Sequence, residues 1–131
     1  MDKDILTEPH SDDATKVLHR HYLIKWRVVL SLQINGVERN FHGWFGDIST
    51  THATAYLENN LPINSRFQVF FQIPPKTAHD QPKVIQANGQ STYCVLANNG
   101  LFRAGIKFNN FLANGLVELE KELSTHIPAQ V

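Results

Sequence analysis

A segment near the start of the chain, residues 16–27 (KVLHRHYLIKWR), concentrates positive charge in a sequence whose overall charge is balanced. It carries Lys16, Arg20, Lys25 and Arg27 and no acidic residue, whereas the whole chain has 12 basic and 12 acidic side chains. Guanidinium forks and ammonium groups bind phosphates. The segment therefore indicates either a site for a phosphorylated ligand or a solvated basic stretch that precedes the first strand.

Two aromatic residues of this segment, Tyr22 and Trp26, offer flat faces on which a nucleobase or an arginine could stack. The alternative is that Trp26 belongs to the hydrophobic core. The segment also holds His19 and His21, which would share one face of a strand. No cysteine or carboxylate lies nearby in the sequence to complete a metal site, so we predict none.

A second polar segment, residues 46–52 (GDISTTH), lies where a strand gives way to a loop. Asp47 could accept two N–H bonds from the edge of a guanine base, and Ser49 could add a hydroxyl contact. The alternative is that both side chains only cap a turn by bonding to nearby backbone groups.

The elements that must position these residues follow from the hydrophobic periodicity. From Trp26 onwards apolar and polar residues alternate, which is typical of a half-buried strand. Asn35-Gly36 predicts a two-residue hairpin turn, after which the chain returns as a strand to Phe45. Further strands are predicted at residues 53–57, 67–73, 83–96 and 101–108, with a loop around 47–52 and an exposed, proline-containing loop at 74–82.

The end of the sequence switches to the period of a helix. Leu112, Leu116, Leu119 and Leu123 recur at the spacing of one helical face, and the helix is expected to end near Pro128. We predict that these four leucines are mostly buried against the strands. Several short antiparallel strands closed by one helix predict a mainly β fold, either a sandwich or a small barrel.

The composition limits the class of protein. A length of 131 residues suits one domain, here residues 16–131, preceded by a polar segment at 1–15 that we expect to be mobile. The single cysteine, Cys94, excludes an internal disulfide, and no apolar run is long enough for a signal peptide or membrane span. We therefore expect a cytoplasmic location. No catalytic motif stands out, and we predict that the protein is not an enzyme.

Together these segments resemble a PilZ domain. The order is the basic segment, a hairpin, and Asp47-x-Ser49, followed by Leu61-Pro62 ahead of a strand that ends in Ile73-Pro74. Residues 93–96 (YCVL) and 102–108 (FRAGIKF) then precede the terminal helix. The resemblance covers residues 18 to 125 and depends on the order and spacing of the motifs.

The resemblance implies a six-stranded antiparallel Greek-key barrel with a C-terminal α-helix that binds cyclic di-GMP, often as an intercalated ligand dimer. In PilZ domains an Arg-x-x-x-Arg motif in the leading segment grips phosphate and guanine, and Asp-x-Ser-x-x-Gly closes on the other base. Carried over to this sequence, the implied ligand-binding residues are Arg20, Lys25, Arg27, Asp47, Ser49 and His52.

The sequence departs from the family pattern at two points. No register places arginine at both positions of the first motif, since Ile24 follows Arg20 at the required spacing and Leu23 precedes Arg27. His52 stands where the second motif has glycine, and a positive φ angle there would cost about 1–2 kcal/mol. If that strain exists, His52→Gly should tighten ligand binding.

Two functions follow from these observations. The first is a cyclic di-GMP receptor that regulates a partner protein in second-messenger signalling. The second is an adaptor that does not bind nucleotide and acts by constitutive protein–protein interaction. Neither function requires a cofactor, a nucleic acid polymer or insertion into a membrane, and the balanced charge gives no general attraction to nucleic acid.

Overall fold

The computed structural model describes residues 20–129. Within this range the chain forms seven strands and one helix. In chain order they are β1 (Tyr22–Leu23), β2 (Arg27–Ile34), β3 (Val37–Ile48), β4 (His52–Leu57), β5 (Arg66–Ile73), β6 (Lys83–Leu96), β7 (Phe102–Phe111) and α1 (Gly115–Leu123). The predicted mobile segment, residues 1–15, lies outside the described residues, as do Lys16 and His19.

The strands β2 to β7 close into an antiparallel barrel, which confirms the predicted fold class. Around the barrel the order is β3-β2-β5-β6-β7-β4, and pairing between β4 and β3 closes the ring. The short strand β1 lies outside the ring and pairs with the end of β3, where Leu23 is opposite Asp47. Closure leaves the six barrel strands without an open sheet edge.

The first hairpin forms as its sequence predicts. In β2 the residues Val28, Leu30 and Leu32 are buried, because alternate side chains of a strand point to one face. Asn35 and Gly36 have φ angles of 54° and 80°, the positive values that a two-residue hairpin turn requires. The strand β6 has the predicted bounds, whereas β3 and β7 each continue three residues beyond the predicted ends, to Ile48 and Phe111.

Aromatic rings fill the interior of the barrel. Trp26 stacks on Phe71 with ring centroids 6.1 Å apart, and Phe45 meets Phe71 edge-on at 5.1 Å. Trp26 and Tyr22 are both buried, so the core interpretation of Trp26 is correct and neither ring offers a face to a ligand. Among residues 20–129, no helix is long and apolar enough to cross a membrane.

The helix packs through a narrower stripe than predicted. Leu119 and Leu123 are fully buried, but Leu112 precedes the helix and Leu116 lies beside the stripe, and each is 38% exposed. The prediction that all four leucines are mostly buried therefore holds fully for Leu119 and Leu123, whereas Leu112 and Leu116 keep more than a third of their surface in solvent. The buried stripe begins at Gly115, where a Cβ atom would lie 3.1 Å from Ile85 Cγ2, so the first turn approaches the barrel through a glycine.

This packing predicts that two leucines of the same helix contribute differently to the free energy of unfolding. Leu119→Ala should lower the free energy of unfolding by about 2–5 kcal/mol, because it leaves a cavity between the helix and the barrel. Leu116→Ala removes a half-exposed side chain and should cost less than about 1 kcal/mol. Denaturant titration of both variants measures the difference, and equal costs would contradict the buried stripe.

Candidate ligand-binding site

The leading segment runs in extended form beside β3 and presents alternate residues to solvent. Its inward side chains join the core; they are Tyr22, Ile24 and Trp26. Its outward side chains are exposed; they are His21, Leu23, Lys25 and Arg27. The extended backbone therefore sorts the basic segment into a buried apolar row and an exposed row that carries the charge.

Residues that follow α1 also contact this segment. The backbone N–H of Ala129 donates to the carbonyl oxygen of His21 at 2.8 Å. The ring of His126 meets the ring of Trp26 edge-on, with centroids 5.9 Å apart. These contacts add to the pairing of β1 with β3, which holds the leading segment on the barrel.

A β-bulge places Asp47 on the outer face. Phe45 pairs with Ala55 and Asp47 pairs with Thr54, so Gly46 is an extra residue in β3. An extra residue shifts the alternation of a strand by one position. Phe45 lies inward before the bulge, and Asp47 lies outward after it. The predicted loop around 47–52 is accordingly shorter, because Asp47 belongs to β3 and His52 to β4.

The bulge needs a glycine because an aromatic ring lies on it. A Cβ atom at Gly46 would lie 2.6 Å from Cε2 of Tyr56, the residue that faces outward from the neighbouring strand β4. The Tyr56 ring therefore covers the bulge and stands next to Asp47 on the same face.

The Asp47 carboxylate is held by two groups and remains partly open to solvent. Its Oδ1 accepts a hydrogen bond from the backbone N–H of Thr54 at 3.2 Å and lies 3.6 Å from Nδ1 of His21. The side chain is 31% exposed. Asp47 is thus oriented by β4 and by the leading segment, with its carboxylate accessible to N–H donors of a ligand.

On the same outer face as Asp47, a cation and an indole ring form one contact. The guanidinium carbon of Arg27 lies 5.0 Å from the centroid of the Trp44 ring, within the range of a cation–π interaction. Trp44 is 47% exposed, and its strand partner across the β2–β3 ladder is Arg27. An open hollow of about 730 Å³ lies beside them, lined by Lys25, Trp44, Gly46 and Tyr56 among others.

Ser49 is buried and holds the turn between β3 and β4. Its Oγ accepts hydrogen bonds from the backbone N–H groups of Thr51 and His52 at 3.2 and 3.0 Å, and it lies 3.2 Å from the His52 carbonyl oxygen. These contacts match the turn-capping alternative for Ser49. Its role as a direct ligand contact stays a prediction.

His52 begins β4 without backbone strain. Among residues 20–129, the non-glycine residues with positive φ are Asn35, Asn64 and Ala113. His52 instead pairs with Lys107 of β7, and its Nδ1 lies 3.0 Å from Thr51 Oγ1. The expected strain at His52 is therefore wrong, because the chain enters β4 at this residue in an extended conformation.

The structure thus brings Lys25, Arg27 and Asp47 to one outer face and places Ser49 and His52 in the turn at its rim. Arg20 is exposed just ahead of β1. Within the described range there is no group of three or more His, Cys, Asp or Glu side chains that could hold a metal ion.

Sequence reasoning missed two aromatic residues of this face, Trp44 and Tyr56. A signal for both was present in the alternation of their strands. Trp44 lies between the inward positions Gly43 and Phe45, and Tyr56 lies between the buried residues Ala55 and Leu57. Continued period-2 alternation in β3 and β4 places both rings outward.

The solved structures that are similar to this chain include two proteins of bacteria. The Bacillus subtilis inhibitor of motility MotI/DgrA aligns with a TM-score of 0.60 at 10% identity, over 80% of this chain and 48% of that one. The PilZ domain of YcgR from Escherichia coli, solved with c-di-GMP, aligns with a TM-score of 0.51 at 16% identity, over 79% and 82%. The chain spans about half the length of MotI/DgrA.

A comparison with protein-family models finds no match, and neither does a comparison with curated proteins. The class of this protein therefore follows from its architecture. The closed antiparallel barrel and its single C-terminal helix form a PilZ-like fold, as the order of the sequence motifs predicted.

The backbone at His52 leads to a test of stability. His52→Gly should lower the free energy of unfolding by about 0.5–1 kcal/mol, because glycine loses more conformational freedom in a strand. Asn64→Gly is the matched control, since Asn64 has a φ of 61° and glycine adopts such angles without strain. Thermal or denaturant unfolding compares the two variants. A gain of stability in His52→Gly would contradict the extended backbone.

Proposed function

We propose that this protein is a PilZ-type receptor for cyclic di-GMP that regulates a partner protein. The observation that supports the proposal is the convergence of Lys25, Arg27 and Asp47 on one outer face. These residues come from the leading segment and from the bulge in β3, the two places where PilZ domains carry their ligand-binding motifs. The face opens on the hollow beside Trp44.

The chemistry of this face suits a guanine nucleotide. The Lys25 ammonium and the Arg27 guanidinium carry the positive charge that phosphates need. The Asp47 carboxylate accepts two N–H bonds from the Watson–Crick edge of guanine. Hydrogen bonds to charged groups each contribute about 1.5–3 kcal/mol, so Asp47 selects guanine over bases that lack two adjacent donors.

Exposed aromatic rings add a second kind of contact. Trp44 and Tyr56 occupy neighbouring positions on β3 and β4 and face the same hollow. Stacking of a base on an aromatic side chain contributes about 1–3 kcal/mol. A guanine base on this face could therefore stack on a ring while Asp47 bonds its edge.

The structural neighbours are consistent with a regulatory binding role. One is a PilZ domain solved with c-di-GMP, and the other is an inhibitor of motility. We propose a similar role for this chain, in which the protein binds a ligand rather than catalysing a reaction. We also propose that it acts in the cytoplasm, in keeping with its single cysteine.

One observation favours the second candidate function, a nucleotide-free adaptor. The hydroxyl of Ser49 is buried and bonded within its own turn. In addition, the leading segment has no second arginine at the family spacing. An adaptor would use the same outer face to contact a partner protein without a ligand.

The Asp47 carboxylate distinguishes the two functions. Asp47→Ala should weaken binding of cyclic di-GMP by about 1.5–3 kcal/mol, because it removes charged hydrogen bonds from a partly desolvated site. Asp80→Ala changes an exposed loop carboxylate and serves as the matched control. Calorimetric titration measures both, with GTP as the control ligand. No heat of binding in the wild type at high micromolar cyclic di-GMP would reject the receptor in favour of the adaptor.

Arg20 tests the electrostatic part of the proposal. It is exposed just ahead of β1, where its side chain can reach over a ligand on the outer face. Arg20→Ala should weaken binding and reduce its dependence on salt, since the ligand carries two phosphates. Titrations at low and high salt give the slope. An unchanged slope would show that Arg20 makes no phosphate contact.

A further inference from the structure

Four outward side chains form a row across the barrel surface that begins within the proposed site and continues beyond it. Arg27 on β2 is paired with Trp44 on β3, Trp44 with Tyr56 on β4, and Tyr56 with Arg103 on β7. The row therefore has an arginine at each end and two aromatic rings between them. We call these four residues the arginine–aromatic row.

Arg103 is held outward in the same way as Arg27. Its guanidinium carbon lies 5.9 Å from the ring centroid of Tyr93 on β6. A second bulge, between Ser91 and Tyr93, turns Tyr93 outward. A Cβ atom at Gly105 would lie 2.4 Å from Cε1 of Tyr93, so this ring, like that of Tyr56, lies on a glycine. A guanidinium stacked on a ring still presents its N–H groups at its edge.

Two adjoining hollows flank Tyr56. The hollow of about 730 Å³ lies on the side of the leading segment. A second hollow of about 440 Å³ lies between Tyr56 and the turn that joins β6 to β7. Among the described residues that line them, the charged ones are Lys25 in the first hollow and Arg103 in the second. Each hollow therefore combines an aromatic wall with one cation.

We infer that Arg103 is the second phosphate-binding arginine of this protein and that the ligand spans the two hollows on either side of Tyr56. The inference rests on the proposed function. It assigns to β7 the second guanidinium that the family motif places in the leading segment, because no second arginine follows Arg20 or precedes Arg27 at the family spacing. A different strand of the barrel then supplies the missing guanidinium fork.

The symmetry of the two hollows matches that of the ligand. Cyclic di-GMP has two equivalent halves, each with one guanine and one phosphate. The hollows on either side of Tyr56 each offer one cation, Lys25 in the first and Arg103 in the second. Tyr56 lies on β4 between β3 and β7, and neighbouring strands are about 4.8 Å apart, so the two hollows adjoin on one side of the barrel. A single molecule that spans both hollows can contact both cations.

The competing explanation is that Arg103 only covers the exposed ring of Tyr93. A covering role predicts a small loss of stability on removing the guanidinium and no effect on ligand binding. A phosphate-binding role predicts the reverse, because Arg103 is exposed and its removal leaves the barrel core unchanged. Thermal unfolding and ligand titration of the same variant therefore separate the two roles.

The experiment is a calorimetric titration of the full chain with cyclic di-GMP at two salt concentrations. Arg103→Ala should weaken binding roughly ten- to a hundredfold and reduce the salt dependence. Arg103→Lys keeps the charge but not the fork and should fall between Arg103→Ala and the wild type. Arg66→Ala removes an exposed arginine from β5, outside the row, and should bind within about twofold of the wild type.

Fluorescence provides a second readout. A base that stacks on the row should quench Trp44, which is exposed, whereas Trp26 is buried beneath the barrel surface. The quenching should disappear in Trp44→Phe. Quenching that persists in that variant would overturn occupancy of the row.

The outcomes separate this inference from the proposed function. If Arg103→Ala binds as tightly as the wild type while Asp47→Ala binds weakly, Arg103 is not a phosphate ligand and the receptor function stands. If Arg66→Ala weakens binding as much as Arg103→Ala, the effect is one of general charge and the inference is wrong. If the wild type does not bind cyclic di-GMP, the inference and the proposed function both fail.

Discussion

The outer face of this barrel depends on one extra residue in β3. Strict alternation from the inward Phe45 would turn Asp47 into the core, where an unpaired carboxylate costs several kcal/mol. The bulge at Gly46 shifts the alternation, so that Trp44 and Asp47 both face outward although they are three residues apart. The shift is compatible with the barrel because Gly46 has no side chain and leaves room for the Tyr56 ring.

The same alternation gives each strand a buried face that stabilises the fold and an exposed face that is available for binding. In the leading segment Trp26 stacks on Phe71 in the core, while its neighbours Lys25 and Arg27 face solvent. Buried aromatic residues dominate the energetics of a core, whereas exposed side chains contribute little to folding. Exposed members of the face can therefore change with little effect on the fold. The fold is similar to that of the two solved structures although the sequence identities are only 10% and 16%.

Local signals in the sequence were sufficient for the hairpins and for a mainly β fold, whereas the choice of a barrel over a sandwich came from the resemblance to PilZ domains. Period-2 alternation and Asn35-Gly36 predicted β2 and its turn, because both depend only on neighbouring residues. The bulge at Gly46 was not predictable in this way, since it is defined by pairing with Ala55 and Thr54 on another strand. The resemblance assigned Ser49 to the ligand, while the residues alone left the turn-capping alternative open, because the burial of Ser49 depends on the fold of the whole turn.

The contact between the two ends of the described chain has a thermodynamic consequence. The residues after α1 contact the leading segment through Ala129 and His126, while Lys25 and Arg27 of that segment are exposed. Any molecule that pulled those residues away would remove two contacts of the segment, leave its pairing with β3 in place, and alter the affinity of the outer face. Coupling of this kind is reciprocal: a ligand on the outer face would change the affinity for that molecule by the same factor. The leading segment would then couple two binding events, one at the residues after α1 and one on the outer face.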